Sequence, residues 1–228
     1  MFIEKAKILK KIILALNLSL ISISIFAQGG VSLGATRIIF PLDAKEESIT
    51  LINSTKNNNF LINSWVENID GDKTQDFTVV PPLYVSEPSS ENSLRIIKIK
   101  SDLPINKESM YFLNVKSIPS LDEKTAQDNN VLQLAIISRI KIFIRPKNLE
   151  PIENLENKLE LKQEGGSYYL NNPTPYFMNM VNVYTNNKRS ENLTISPFSE
   201  YKLNEKVNKF KFQLVNDFGG LTPIKEIN

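Results

Sequence analysis

The chain contains no cysteine and no histidine among its 228 residues. Without cysteine, the fold must be stable without disulfides or thiolate–metal bonds. Without histidine, the chain lacks the usual general base and the commonest zinc ligand. These two absences exclude the Ser–His–Asp, Cys–His and histidine-based zinc-hydrolase mechanisms. Only an enzyme that relies on carboxylates, lysine or tyrosine remains compatible with this composition.

Helical periodicity and ligand-binding motifs are also scarce. After residue 27, no segment keeps apolar residues at i, i+3, i+4 and i+7 over three turns. The glycine pairs at 165–166 and 219–220 are ordinary turn signals and do not form a phosphate-binding loop. The acidic residues at 70–72 and 122–123 have the character of solvated turn carboxylates rather than of a cation site. We therefore expect no cofactor and no metal.

The positive charge is concentrated at the N-terminus. Four lysines within residues 5–11 precede an apolar stretch, 12–26, and Ala27 is a suitable cleavage point. This pattern predicts a secretory signal peptide over 1–27. An uncleaved membrane anchor is the alternative, but the apolar stretch is shorter than the roughly 20 residues that a membrane span needs. The remainder is nearly neutral, so we expect an exported protein that binds no nucleic acid and, after cleavage, does not insert into a membrane.

Short strand-like runs separated by turn residues dominate the rest of the chain. The first group lies at 31–40, 48–53, 59–66, 77–80, 94–100, 110–117 and 130–146. The second group lies at 158–163, 167–171, 176–185, 192–196 and 209–215. Runs with this spacing are typical of an immunoglobulin-like sandwich. We predict an all-β protein that comprises the signal peptide (1–27), a first domain (28–146), a polar, proline-bounded hinge (147–151) and a smaller β-sandwich (152–228).

The segment 130–146, NVLQLAIISRIKIFIRP, has the strongest strand character in the chain. Its even-numbered positions are almost entirely aliphatic, whereas charged residues occupy several odd-numbered positions. Because side chains alternate between the two faces of a strand, one face is apolar and the other is mixed. This pattern by itself favours a long core strand. It leaves open an apolar edge that recruits a partner chain.

Three cations, Arg37, Lys141 and Arg145, interrupt otherwise apolar strand runs. A single charge inside a strand usually points to solvent. A pair of cations that converges on one cleft could instead hold a carboxylate through charge-assisted hydrogen bonds. Capture of a peptide C-terminus is one of the recurring modes of peptide recognition.

A series of motifs resembles the periplasmic chaperones of the chaperone–usher pathway, which assemble pili and fimbriae in Gram-negative bacteria. The resemblance covers essentially the whole mature chain, and the motifs are specific in combination. They are TRIIF (36–40), SWVE (64–67), FTVVPPL (77–83), LRI (94–96), LP (103–104) with KES (107–109), FLNV (112–115) with IP (118–119), the 130–146 segment, NPTPY (172–176) and NDFGG (216–220).

The resemblance implies a fold of two immunoglobulin-like domains in an L shape. It also implies that the last strand of the first domain completes a pilus subunit that lacks its own final strand, by donor-strand complementation. The residues that match the donor positions are Leu132, Leu134 and Ile136. Arg37 and Lys141 match the cleft pair that anchors the C-terminal carboxylate of the subunit.

Three further residues match an interdomain ionic network of that family: Glu108, Arg145 and Asp217. The implied partners are pilus subunits, including an adhesin subunit, and an outer-membrane usher. The implied location is the periplasm. The exposed strand further predicts that the free protein covers it by self-association.

The chain departs from the family pattern in two places. The connection between Pro119 and Asn130 is short and has no cysteine pair, which is similar to the short-loop subclass that usually builds rod-like pili. Ile144 stands where the family often has tyrosine. The alternative functions are a secreted tandem-sandwich adhesin or binding module and a carboxylate-dependent enzyme. The pair Arg37 and Lys141 distinguishes the chaperone from the adhesin, since an adhesin has no need of two cations in an interdomain cleft.

Overall fold

The computed structural model describes residues 29–100, 102–120, 132–151 and 153–228. The predicted signal peptide, 1–27, lies outside these residues. The described chain consists of β-strands and loops, together with one short 3₁₀ helix, Leu155–Lys158. Within the described ranges, no helix has the length and apolar character required to cross a bilayer.

Nine strands form the first half of the described chain. They are β1 (Val31–Leu33), β2 (Arg37–Pro41), β3 (Glu46–Asn53), β4 (Phe60–Glu67), β5 (Phe77–Val80), β6 (Leu83–Ser86), β7 (Ser90–Lys98), β8 (Ser109–Pro119) and β9 (Ile136–Arg145). One sheet has the strand order β1-β3-β7-β5 and the other has the order β2-β9-β8-β4-β6. Strands β2 and β9 run parallel to each other, whereas the other paired strands of this half are antiparallel.

The two sheets of the first half enclose an apolar core. Its fully buried side chains include Phe40, Leu51, Ile62, Leu94 and Leu113. Phe40, Leu51, Ile62 and Leu94 belong to strands on which buried and more exposed residues alternate, because one face of each sheet packs inward, whereas β8, which carries Leu113, is buried on both faces along part of its length. This core forms without disulfides and gives the cleft strands β2 and β9 a rigid support.

Eight shorter strands form the second half. They are β10 (Glu160–Glu164), β11 (Ser167–Asn172), β12 (Met178–Thr185), β13 (Lys188–Arg189), β14 (Leu193–Ile195), β15 (Ser199–Leu203), β16 (Phe210–Leu214) and β17 (Lys225–Ile227). One sheet has the order β10-β11-β15; the other has the order β13-β12-β16-β17, with β14 also paired to β12. A separate core, which includes Leu170, Met178, Phe210 and Phe212, lies between them.

The expected fold class, two all-β immunoglobulin-like sandwiches, is confirmed, but the strand list differs in places. The predicted single strand 31–40 is two strands, because the chain leaves one sheet after Leu33 and joins the other at Arg37. Strand β6 follows directly on the Pro81–Pro82 pair, which the sequence pattern treats only as a strand end. Strands β13, β15 and β17 were likewise not predicted.

The predicted long strand is shorter than expected. Strand β9 covers Ile136–Arg145, and the described residues 132–135 are not in regular structure. Strand β8 pairs with β9 only as far as Ile136, and β2 pairs only with residues from Lys141 onward. A strand needs a neighbour to satisfy its backbone groups. Residues 130 and 131 lie outside the described ranges, and residues 132–140 have such a neighbour on one side at most.

Candidate functional site

The first part of the 130–146 segment presents an exposed apolar edge. The side chains of Leu132, Leu134 and Ile136 are 81%, 65% and 66% exposed. From Ile136 to Ile140, β9 pairs with β8 on one side, while β2 does not begin its pairing until Lys141 on the other. This edge therefore offers both unpaired backbone groups and aliphatic side chains, which is the combination that an added strand requires.

Ile136, the donor candidate that lies within β9, and Lys141 lie on opposite faces of this strand. The β8–β9 register continues without a shift from Ile136 to Ile144, so this part of the strand has no bulge. Ile136 therefore shares a face with Ile142, which is buried in the core of the first sandwich. Lys141 points to the other face. Of the two arrangements compatible with the sequence, opposite faces or a bulge, the first is the one present.

Arg37 and Lys141 lie directly opposite each other on the parallel strands β2 and β9. Their side chains therefore project from the same face of the sheet, and two positive charges lie side by side. Among the described residues, neither cation forms a salt bridge, although other lysines and arginines do. The pair thus combines like charges without a carboxylate, an arrangement that is unfavourable unless an anion binds.

Both cations donate hydrogen bonds to neutral groups of the second sandwich. Lys141 Nζ lies 2.6 Å from Asn179 Oδ1 and 2.7 Å from Thr194 Oγ1. Arg37 Nη1 donates to the carbonyl oxygen of Val215 at 2.9 Å. The Arg37 Nε atom is buried and has no hydrogen-bond partner. These contacts hold the cations in position but leave their charge uncompensated and part of their donor capacity unused.

The environment of this pair lowers the pKa of each cation. Burial, together with the neighbouring charge of Arg37, lowers the pKa of Lys141 to about 8. Burial also lowers the pKa of Arg37, and the negative charge of Asp217 opposes that effect. Near neutral pH, Lys141 is therefore still charged, but it is held in an environment that a bound carboxylate would improve.

A third cation of the same region, Arg145, is fully paired. Its Nε lies 2.7 Å from Glu108 Oε1, and its Nη1 and Nη2 lie 2.5 and 2.9 Å from the two carboxylate oxygens of Asp217. Glu108, only 3% exposed, also accepts a hydrogen bond from the backbone N–H of Phe177 at 2.9 Å. The predicted members Glu108, Arg145 and Asp217 therefore form one network that joins the two sandwiches.

The pKa shifts in this network follow from burial and pairing. Burial raises the pKa of Glu108, against the lowering effect of the Arg145 charge. The hydrogen bonds from Arg145 lower the pKa of Asp217. Burial would lower the pKa of Arg145, but hydrogen bonds and charges from Asp217 and Glu108 raise it overall. Each ion is thus stabilised by an opposite charge, as buried or half-buried ions require.

A cavity of about 620 Å³ lies between the two sandwiches. Its lining includes polar groups of Arg37, Glu108 and Asp217 beside the aromatic rings of Phe143 and Phe177. Lys141 is not part of the lining, although Asn179, which accepts a hydrogen bond from its ammonium, is. Within the described ranges, no cluster of three acidic side chains could hold a metal ion. The chemistry available in this region is the binding of an anion.

Sequence reasoning missed the acceptors on the second sandwich: Asn179, Thr194 and the carbonyl of Val215. One signal was available in the sequence. Asn179 is a polar residue between Met178 and Met180, and all three are buried. A buried amide needs a hydrogen-bond partner, so its presence indicated an unidentified contact. Nothing in the sequence identified Lys141 as that contact.

Two family models together match nearly all of the described chain. Residues 30–150 match the model described as "Pili and flagellar-assembly chaperone, PapD N-terminal domain". Residues 154–226 match "Pili assembly chaperone PapD, C-terminal domain".

Individual relatives and solved structures agree with these matches. The chain is 43% identical to the probable fimbrial chaperone SfmC of Escherichia coli K12, and the alignment covers 98% of each protein. It is 40% identical to the chaperone protein FimC of the same strain, over 86% of this chain and 83% of that one. The crystal structure of the periplasmic chaperone SfaE superposes with a TM-score of 0.74, at 36% identity, over 86% of this chain and 98% of that one. The SafB chaperone in complex with the SafA pilin, from Salmonella enterica, gives a TM-score of 0.77 at 27% identity, over 87% of this chain and 96% of the matched chain.

Proposed function

This chain belongs to the family of PapD pilus-assembly chaperones, and on that premise we propose how it holds its client. It is a chaperone that binds, folds and caps pilus subunits and delivers them to an outer-membrane usher. It is not an enzyme. We propose that it works in the periplasm after removal of the predicted signal peptide, 1–27. We further propose that residues 28–146 and 152–228 are its two domains and that 147–151 is the hinge.

We propose that Leu132, Leu134 and Ile136 are the donor residues inserted into the subunit. The observation that carries this proposal is the open edge at the start of β9: these three aliphatic side chains are exposed there, and the backbone of residues 136–140 is unpaired on one side. In a soluble protein, an exposed aliphatic edge of this kind is typical of an interaction site. A subunit that lacks its final strand has an incomplete sandwich, with an open groove into which such a strand fits.

The donor side chains by themselves do not account for stable capture. Burial of three large aliphatic side chains contributes about 5–9 kcal/mol. Association costs on the order of 4–15 kcal/mol in lost freedom. Further favourable contacts are therefore needed, and the backbone ladder along β9 and a charged anchor are the two that this surface offers.

We propose that Arg37 and Lys141 form the anchor for the C-terminal carboxylate of the subunit. Among the residues that the structure describes, neither cation has a carboxylate partner, and both retain unused N–H donors. A carboxylate between them would gain charge-assisted hydrogen bonds and relieve their mutual repulsion. Because the pair lies at the end of the open edge, it would also set the register in which the subunit strand aligns with β9.

We propose that Glu108, Arg145 and Asp217 hold the two domains at one angle. The bidentate contact of Arg145 with Asp217 is directional, and Glu108 binds both Arg145 and the backbone of the second sandwich. Contacts of this geometry restrict relative motion more than single-point contacts do. A constant angle would keep the anchor residues and their acceptors together.

The test is recovery of the native client. The tagged, full-length chain is expressed in the parent cell, and its periplasmic complexes are purified and identified by mass spectrometry. We expect a 1:1 complex with small subunits whose sandwich lacks the final strand. Recovery of the chain without any such subunit, from cells that produce pili, would overturn the proposal and favour a secreted binding module.

A further inference from the structure

We propose that Asn179 and Thr194 are positioning residues for Lys141, so that the second sandwich supplies a neutral half of the carboxylate anchor. This proposal rests on the function proposed above, in which Lys141 binds the C-terminus of a subunit. It adds to that function a requirement for two particular side chains on the other domain, and it requires them to carry no charge.

The geometry consists of two cross-strand pairs that meet between the sandwiches. Arg37 and Lys141 are register partners on β2 and β9, and Asn179 and Thr194 are register partners on β12 and β14. Lys141 Nζ lies 2.6 Å from Asn179 Oδ1 and 2.7 Å from Thr194 Oγ1. One pair carries two charges and the other carries none.

The two acceptors use part of the ammonium and leave part of it available. A lysine ammonium has three N–H donors. Two of these are engaged by Asn179 and Thr194, so one remains for an incoming carboxylate. Lysine also has a long, flexible side chain, and fixing it before binding reduces the entropy lost when the ligand arrives. The acceptors therefore orient the cation without neutralising it.

Asn179 is itself held rigidly. Its side chain is almost completely buried, its backbone carbonyl accepts a hydrogen bond from Val215 N at 3.0 Å, and its Oδ1 also accepts a weak bond from Thr194 Oγ1 at 3.4 Å. Rigid packing of this kind limits the positions that the bound ammonium can take. Aspartate has nearly the same shape as asparagine, so Asn179→Asp would introduce a carboxylate at this position with little change in packing.

The neutrality of Asn179 distinguishes a positioning role from a purely structural one. If Asn179 served only to tie the two sandwiches together, a carboxylate in its place would bind Lys141 more strongly and improve the contact. If Asn179 positions Lys141 for a client, that carboxylate would form an internal ion pair and compete with the client's C-terminus. The two roles therefore predict different effects of Asn179→Asp on subunit capture: no loss if Asn179 only joins the sandwiches, and a clear loss if it positions Lys141.

The test compares four variants of the full chain: Asn179→Asp, Thr194→Val, Thr194→Ser and Asn182→Asp. Asn182→Asp is the matched control, because Asn182 lies on the same strand with its side chain exposed. The readouts are the pKa of Lys141, measured by NMR titration of its side-chain carbon resonances without any client, and the yield and affinity of the subunits that the unaltered chain co-purifies. Thermal unfolding reports on the fold.

We expect Asn179→Asp to raise the pKa of Lys141 above its present value of about 8 and to lower subunit affinity roughly tenfold or more. Thr194→Val should lower both the pKa of Lys141 and the affinity. Thr194→Ser, which keeps the hydroxyl, and Asn182→Asp should behave like the unaltered chain. Unfolding of Asn179→Asp should occur at an equal or higher temperature.

The proposal is overturned if Asn179→Asp captures subunits as well as Asn182→Asp does, or if it leaves the pKa of Lys141 unchanged. If Asn179→Asp does not fold, equal capture by Thr194→Val and Thr194→Ser overturns the proposal. A failure of the chaperone function itself is a separate result, since the unaltered chain would then capture no subunit.

Discussion

Arg37 and Lys141 lie side by side on parallel strands, and neither has an acidic partner among the described residues. Arg145, on the same face of β9, contacts two carboxylates. Strand β9 therefore carries a compensated cation, Arg145, at its C-terminal end and an uncompensated cation, Lys141, four residues earlier. We infer that Arg145 stabilises the folded chain and that Lys141 is kept available for an anion.

Removal of either anchor charge should abolish stable capture. We expect Arg37→Ala and Lys141→Ala to weaken subunit binding by at least roughly thirtyfold, since truncating one partner of a buried charged contact costs about 2–5 kcal/mol. The measurement is the yield of subunit that co-purifies with each variant. The matched control is Arg139→Ala on the same face of β9, whose charge is paired with Glu67. Wild-type yields with either anchor variant would show the anchor assignment to be wrong.

Shortening the donor side chains should weaken binding and leave the free protein stable. Leu134→Ala removes most of an apolar contact worth about 1.5–3 kcal/mol on burial, which is roughly a ten- to hundredfold loss of affinity. Because Leu134 is largely exposed in the free chain, the unfolding temperature of the Leu134→Ala variant should hardly differ from that of the unaltered chain. Ile224→Ala, an equally exposed aliphatic residue of the second sandwich, is the control. A similar effect of both variants on affinity would contradict the donor role.

The ionic network should respond unequally to loss of its two acids. Glu108→Ala leaves a half-buried arginine and a backbone N–H of Phe177 without their acceptor, and we expect a loss of about 3–5 kcal/mol in the free energy of unfolding. Asp217→Asn should cost much less, because the Asp217 side chain is nearly half exposed. Chemical denaturation measures both values. Equal losses would show that burial does not control the strength of this network.

Capture should weaken as pH rises through about 8. Burial lowers the pKa of Lys141 to about 8, so above that pH the free chain loses the ammonium that the carboxylate needs. The limiting slope is about a tenfold loss of affinity per pH unit, until the ordinary lysine pKa is approached. Affinity measured between pH 6.5 and 9.5 tests this slope. Lys141→Met should bind weakly at every pH, and a full pH dependence in that variant would contradict the assignment to Lys141.

Stability of the free chain should show the opposite trend in that range. The pKa of Lys141 is lower in the folded chain than its ordinary value of 10.5, so the unfolded chain binds more protons between about pH 8 and that value. The contribution of Lys141 to the free energy of unfolding therefore rises with pH across that interval. Below about pH 8, the folded chain bears the full cost of burying a charged lysine. Comparison of the unaltered chain with Lys141→Met isolates the contribution of this group.

In the absence of a subunit, the open edge should make the protein self-associate. Exposed strand edges with aliphatic side chains pair readily with a second chain. We expect a dimer in sedimentation velocity at micromolar concentration, and we expect Ile136→Asp to shift it toward monomer. A monomer at all accessible concentrations, with rapid amide hydrogen exchange along 132–140, would contradict self-association.

The sequence was sufficient for the all-β class and for most strands, because the alternation of apolar and polar residues depends only on local geometry. Strands that depend on a neighbour were less predictable. Strand β6 follows a proline pair, and β9 is shorter than its pattern because its partners begin and end elsewhere. The exposure of Leu134 could not be deduced from its pattern, since the same alternation suits a buried strand.

The sequence by itself determined which residues can form strands, which cations interrupt them and which mechanisms the absence of histidine and cysteine excludes. Only the tertiary structure decided that Arg37 lies beside Lys141, more than a hundred residues away, and that Asn179 and Thr194 receive its ammonium. Register and domain contacts arise from packing between distant segments, which no local pattern encodes. Those contacts, rather than the position of Lys141 in the chain, leave its ammonium able to bind an anion.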